Sequence, residues 1–137
     1  MCNKEIAITD AISSGNQPTF VPRNAIDRNP NTKWQSTFTS NPWERLTLGG
    51  LKQVCRVDIT WADTAQYHFN ISVSTGGAYT DVLTDKVRTG TSTTTPEPYV
   101  FAVTQANSVQ ITITQSTPGS TNSIAQISEI SVFSNQA

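Results

Sequence analysis

Oxygen donors crowd one stretch of this chain. Asn24, Asp27, Asn29, Asn31 and Thr32 surround Pro30, between apolar anchors at Ile26 and Trp34. Asn and Asp side chains bond nearby backbone and Pro fixes φ, so the stretch reads as a tight turn. Such a turn aims main-chain carbonyls inward. One carboxylate, one hydroxyl and inward carbonyls suit a hard cation such as Ca²⁺, which takes about 6–8 oxygens. The plain alternative is a polar loop that hydrogen-bonds only to itself, since calcium loops usually carry more carboxylates.

Other chemistry is harder to assemble. A nucleophilic triad needs a base beside its nucleophile. The single histidine, His68, takes an outward strand position between Tyr67 and Phe69, while Cys55 takes an inward one. The candidate acids Asp10, Asp27, Glu44, Asp58, Asp63, Asp81, Asp85, Glu97 and Glu129 are scattered, and their spacing selects no pair for glycoside hydrolysis. There is no zinc spacing, phosphate loop or dinucleotide fingerprint. The reading is therefore not an enzyme. Cys2 and Cys55 leave three options: a disulfide, two thiols with Cys55 as a small buried residue, or a lipid-modified Cys2. A bridge would close a loop of about 50 residues and contribute about 4 kcal/mol in the chain-entropy model.

The elements that position these groups read as strands. Residues 5–9 alternate with Ile6 and Ile8 inward. Trp43 to Leu48 is a strand ended by Gly49-Gly50. Leu51, Cys55, Val57, Ile59 and Trp61 then share one face, with Arg56, Asp58 and Thr60 on the other, which is solvated. Tyr67, Phe69, Ile71 and Val73 alternate again, and Gly76-Gly77 signals a hairpin to residues 79–87. Further strands follow at 99–103, 109–113 and 124–133. Loops fall at 10–22, 35–42, 62–66 and 116–123. No segment keeps a helical stripe. About eight short strands between turn signals argue for a sandwich.

Composition sets the class. The 137 residues are most simply one domain, 1–137, with net charge −1 and no basic run. Nucleic acid is not an expected partner, because phosphate binding needs clustered Lys and Arg. Charged residues are only 14% and Thr, Ser, Asn and Gln abound, as in many secreted β-proteins. No transmembrane run or signal peptide is visible. Met1 directly before Cys2 reads as the start of a processed chain or excised domain.

Several of these stretches together carry a resemblance. Asn24-Ala25-Ile26-Asp27 with Asn29, Thr32 and Trp34 comes first. Pro42-Trp43 leading to Leu46-Thr47-Leu48-Gly49 comes next, followed by Val54 and Val57-Asp58-Ile59-Thr60-Trp61. Phe69 to Gly77 and the ending Ile127-Ser128-Glu129-Ile130-Ser131-Val132 complete the set. In this order they resemble the coagulation factor V/VIII type C (discoidin) domain, and most of all the family 32-like carbohydrate-binding modules, over about residues 5–134. The resemblance implies an all-β jelly-roll β-sandwich (galactose-binding-domain-like), a structural calcium and ligand binding by loops at one end. The implied calcium set is Asn24, Asp27, Asn29, Thr32 and Glu129. Arg28 stands where glycine is common; if the position needs positive φ, Arg28 is strained.

The implied ligand rim is residues 13–20, 35–41, 62–68 and 116–123. Sugars want an aromatic face and a few polar groups for their hydroxyls. Phe38, Tyr67 and Phe20 are candidate platforms. Gln17, Gln35, Asp63, His68 and Asn122 are candidate hydrogen-bonding groups. Core packing is the plain reading of Tyr67, which shares parity with Phe69. Galactose binders place a His directly after the tryptophan, where this chain has Gln35, so galactose is not the expected sugar. Trp34, Trp43 and Trp61 fall in core-like positions. The expectation is a non-catalytic, monomeric module that binds polysaccharide or glycan, secreted or at the cell surface within a larger protein. Its rivals are a protein- or membrane-adhesion domain and a structural spacer. Membrane insertion ranks lower, since loop 35–41 offers only Phe38 and no base.

Overall fold

Two long strands organise the molecule, whose computed structural model describes residues 2–116 and 124–135. β4 (Trp43–Trp61) and β7 (Glu97–Ser116) pair antiparallel along their length, with register shifts between Thr47 and Lys52 and between Val54 and Arg56. The first shift coincides with Gly49-Gly50. Gly50 has φ +127°, a conformation that L side chains rarely adopt. The glycines therefore bend β4 instead of ending it, and one strand serves both layers of the sandwich.

The remaining strands attach to its two halves. β1 (Lys4–Ile6) and β2 (Ile8–Ser13) precede a short 3₁₀ helix, Pro22–Ile26, and β3 (Trp34–Gln35) follows it. β5 (Tyr67–Ser74), β6 (Thr80–Val87) and β8 (Gln126–Ser134) complete the set. β2 and the 108–116 half of β7 flank the first half of β4, and β5 and β6 extend that layer. β8 flanks the second half of β4 and carries β1 and β3. The outcome is an all-β sandwich, as the strand pattern argues, with the jelly-roll form that the resemblance implies.

Three readings change in detail. β2 runs on to Ser13, where a loop was expected, because its backbone pairs with residues 44–48. β7 is one strand across residues 104–108, which carry little apolar pattern. Leu51 is exposed at the bend instead of joining the inward row.

The core lies between the layers. Trp61 stacks on Tyr67 at 4.4 Å between centroids, and Phe69 meets Tyr99 edge-on at 4.8 Å. Such pairs contribute about 0.5–1.5 kcal/mol beyond their area. A disulfide joins Cys2 to Cys55, with Cα atoms 6.0 Å apart. Among the described residues, no helix is long and apolar enough to cross a membrane.

Candidate functional site

The Asn24–Thr32 loop closes on one hydroxyl. Thr32 Oγ1 lies 2.5 Å from Asp27 Oδ2, 3.1 Å from the Asn29 carbonyl and 3.4 Å from the Asn24 carbonyl. A hydroxyl has one proton to give, so three acceptors meet one donor. Two Asx turns shape the loop: Asn29 N–H donates to Asp27 Oδ1 and Asn31 N–H to Asn29 Oδ1, each at 2.9 Å. Arg28 sits between them at φ +62°, the left-handed region, and its guanidinium pairs with Glu5.

Glu129 enters from β8. Its Oε1 is buried with no hydrogen-bond partner. Burial, then the hydrogen bond and charge of Asp27, push its carboxyl up to about 7. Asn24, Asp27, Asn29, Thr32 and Glu129 are thus brought together as an all-oxygen set with surplus acceptors and two carboxyl groups. Such a set fits a hard divalent cation. Among the described residues no group of three or more His, Cys, Asp or Glu could hold a metal, so a cation here would depend on the carbonyls and Thr32. Deeper in the core, Glu44 is fully buried with both carboxylate oxygens unpartnered. Burial, then the charge of Glu129, raises its pKa well above the ordinary range and favours its neutral form.

A second cluster forms where three loops meet the start of β8. Gln17 N–H donates to the Gln35 carbonyl at 2.9 Å, and Gln35 N–H to the Phe20 carbonyl at 3.2 Å. Ser36 N–H donates to the Ala125 carbonyl at 3.0 Å, and Ala125 N–H returns to Ser36 Oγ at 2.8 Å. Gln126 links the side chains: its Nε2 donates to Asp63 Oδ2 at 3.0 Å and its Oε1 accepts from Lys33 Nζ. The Lys33 ammonium lies 5.0 Å from the Phe20 ring centroid. Tyr67 O–H, 2.9 Å from both Asp63 oxygens, closes the chain from below.

The F5/8 type C domain model matches residues 8–130. This chain belongs to that family. Among curated proteins none matches significantly. The family 32 carbohydrate-binding module of AlyQ, in complex with 4,5-unsaturated mannuronic acid, has a TM-score of 0.84 at 26% identity over 96% of this chain and 98% of that one. A truncated AlyQ with that module and alginate lyase domains has a TM-score of 0.82 at 26% identity over 94% of this chain. This chain spans only 32% of that one. The family 32 module from Clostridium perfringens NanJ, in complex with galactose, shares the fold at TM-score 0.78 and 20% identity, over 94% of this chain and 98% of that one.

Within this F5/8 type C domain, the structure sorts the expected ligand residues. Gln17, Gln35 and Asp63 come to the rim. Tyr67 does not serve as a platform: its ring is fully buried against Trp61, and only its hydroxyl reaches the cluster. Inward parity decided its place. His68 stands apart on the outer face of β5, with Nδ1 3.6 Å from Asp85. Phe38 is 57% exposed on its loop. Asn122 lies outside the described residues. Trp43 is half-buried instead of core, with Arg45 4.5 Å over its ring.

Sequence reasoning missed Lys33, Gln126 and Arg88. Parity offered a signal for Lys33, because it and Gln35 flank the inward Trp34. Gln126 holds the same relation to Ala125 and Ile127. Arg88 had no local signal. Its buried guanidinium donates to the carbonyls of Asp63 at 2.7 Å, Ala65 at 2.8 Å and Ser92 at 2.8 Å. It pins the 62–66 loop from behind.

Proposed function

We propose that this domain is a non-catalytic carbohydrate-binding module that grips glycan at the loop rim and holds a structural Ca²⁺. The observation that carries this reading is the rim chain of Lys33, Gln126 and Asp63 beside Phe20. It combines a cation, an amide and a carboxylate with an aromatic face, the groups that orient a sugar. Family membership and the likeness to the AlyQ module support it. Lys33 beside Gln35, where galactose binders carry His, favours the acidic sugars of a polyuronate over galactose.

The Ca²⁺ would be held by Asp27, Glu129, Thr32 and the carbonyls of Asn24 and Asn29. Bound there, it supplies positive charge that two facing carboxyl groups lack. Asp27 and Glu129 would then tie an early loop to the last strand, a structural duty. The domain would serve as an appendage of a secreted or surface polysaccharide-active protein. Phe38, exposed on loop 35–41, is the observation that favours an adhesive alternative.

Affinity electrophoresis in alginate, polygalacturonate and galactan gels, with and without EDTA, tests the reading. Retardation in a polyuronate that Lys33→Ala weakens about tenfold is expected. Co-sedimentation with anionic liposomes, with no retardation in any gel, would overturn it in favour of adhesion.

A further inference from the structure

The outer face of the β4–β8 pair carries a groove of about 360 Å³, away from the rim residues. Its size falls in the range of ligand pockets, about 300–1,000 Å³. The floor is built from two directly opposed cross-strand pairs, Asp58 with Ser131 and Thr60 with Glu129, together with Phe133. Two loops raise the walls. Arg28 and Pro30 form one, and Thr94 and Pro96 the other.

Both walls are braced. The first is the loop held by the Asx turns of Asp27 and Asn29. In the second, Ser92 Oγ accepts from Thr94 N–H at 3.2 Å and Thr95 N–H at 3.0 Å, while Arg88 holds the Ser92 carbonyl. A cleft fixed before the ligand arrives spares it the cost of ordering loops.

The lining selects a ligand class. Arg56 donates from Nε and Nη2 to the two Asp58 oxygens, each at 2.7 Å, and its guanidinium lies 4.1 Å over the Phe133 ring. Its charge is committed to Asp58, beside the floor. Arg28 is paired with Glu5. An anion entering the groove would therefore meet Asp58 with no uncommitted arginine to receive it, Glu129 being spent on the neighbouring cation in the reading above. A neutral hydroxylated molecule finds a better match. Asp58 accepts hydroxyl protons, Thr60, Ser131 and Thr94 both donate and accept, and the two prolines offer apolar walls.

We propose that this groove is a second glycan-binding site, which takes a neutral pyranose residue. The ligand class rests on the glycan-binding reading above; the groove itself does not. The module would then contact a chain at two places, an acidic sugar at the rim and a neutral one on the sheet face. Linked contacts of this kind raise avidity without new affinity at either site.

Backbone amide NMR titrations of the whole domain separate the sites. The probes are galactobiose, mannobiose and cellobiose as neutral sugars and trigalacturonate as the anion. At least one neutral disaccharide should shift the amides of Thr60, Thr94 and Ser131, with a Kd of about 1 mM. Thr94→Trp, on an exposed loop, and Ser131→Trp, on the floor, should each weaken that response about tenfold. Both should leave trigalacturonate shifts at Gln35 and Gln126 intact. Shifts confined to the rim with every probe would overturn the groove and leave the rim reading standing. Shifts confined to the groove would do the reverse, and no shifts at either place would overturn both. Trigalacturonate seated in the groove would overturn the neutral class.

Discussion

The Asn24–Thr32 loop and the loop rim use similar polar residues to opposite effect. In the loop, acceptors outnumber protons: three oxygens share the Thr32 hydroxyl and Glu129 Oε1 has no partner. At the rim, donors and acceptors are matched along Lys33, Gln126, Asp63 and Tyr67. The difference teaches how to tell a missing positive charge from an exchangeable contact. A buried acceptor without a partner, as Glu129 Oε1 is, is costly alone and becomes favourable when a cation arrives, while the exposed loop oxygens beside it can turn to the same ion. A matched surface chain is stable as it stands, and a sugar hydroxyl can replace one of its bonds at little cost.

Breaking the loop should have the largest effect. A ligand present at a hundred times its Kd stabilises by about 2.7 kcal/mol. At roughly 2–4 °C per kcal/mol, Asp27→Ala should lower the melting temperature in Ca²⁺ by about 5–10 °C. EDTA should lower the wild-type melt similarly and leave Asp27→Ala unmoved. An equal loss from Asp58→Ala would undo the contrast, since Asp58 only clamps Arg56 and a part-exposed pair contributes about 1 kcal/mol.

Breaking the rim should spare stability. Lys33→Ala should weaken polyuronate binding about tenfold, or about 1.4 kcal/mol, with the melt shifted by less than about 2 °C. A large melting shift would mean that the rim chain is structural.

A pH series sharpens the loop's side of the comparison. Without metal, the Glu129 carboxyl titrates near 7, above its unfolded range. The native state then keeps a proton that the unfolded chain has released. Stability in EDTA should therefore fall as pH rises from about 5 to about 7. Saturating Ca²⁺ should remove the Glu129 share of that fall, because the ion replaces the proton, and leave the share of the buried, neutral Glu44 in both buffers. Parallel melts in EDTA and Ca²⁺ that share one slope would sink this account. The smallest effect is expected from Arg28→Gly, which relieves a left-handed residue but loses an exposed ion pair. Calorimetry should show a net change within about 1 kcal/mol.

Local pattern made the loop legible and left the rim half-hidden. Thr32, Asp27 and Asn29 lie within a few residues of one another, so turn chemistry and spacing suffice. Lys33 and Gln126 meet across 93 positions, a pairing that only the assembled sheet creates. Alternation correctly sent Val57, Ile59 and Trp61 inward, and it also outweighed the chemical appeal of Tyr67 as a platform. It could not reveal that Asp58, on the outward face, is clamped by Arg56 instead of solvated. Gly49-Gly50 looked like a stop because glycine ends most strands, yet backbone pairing with β7 resumes at Lys52. Glu44 kept inward parity and was placed among scattered acids, since nothing nearby in sequence marks a buried carboxyl.

The Cys2–Cys55 bridge has a mechanical consequence. β1 and β8 lie side by side, with Lys4 opposite Ser134, so tension on the two ends would peel β1 away one hydrogen bond at a time. Cys2 precedes β1, and its partner lies in β4, which pairs with β8 through Val54 and Arg56. Pulling force therefore bypasses β1 through a covalent shunt into the middle of the sheet. A tether oxidised in this way resists at β4, and a reduced one yields first at its edge.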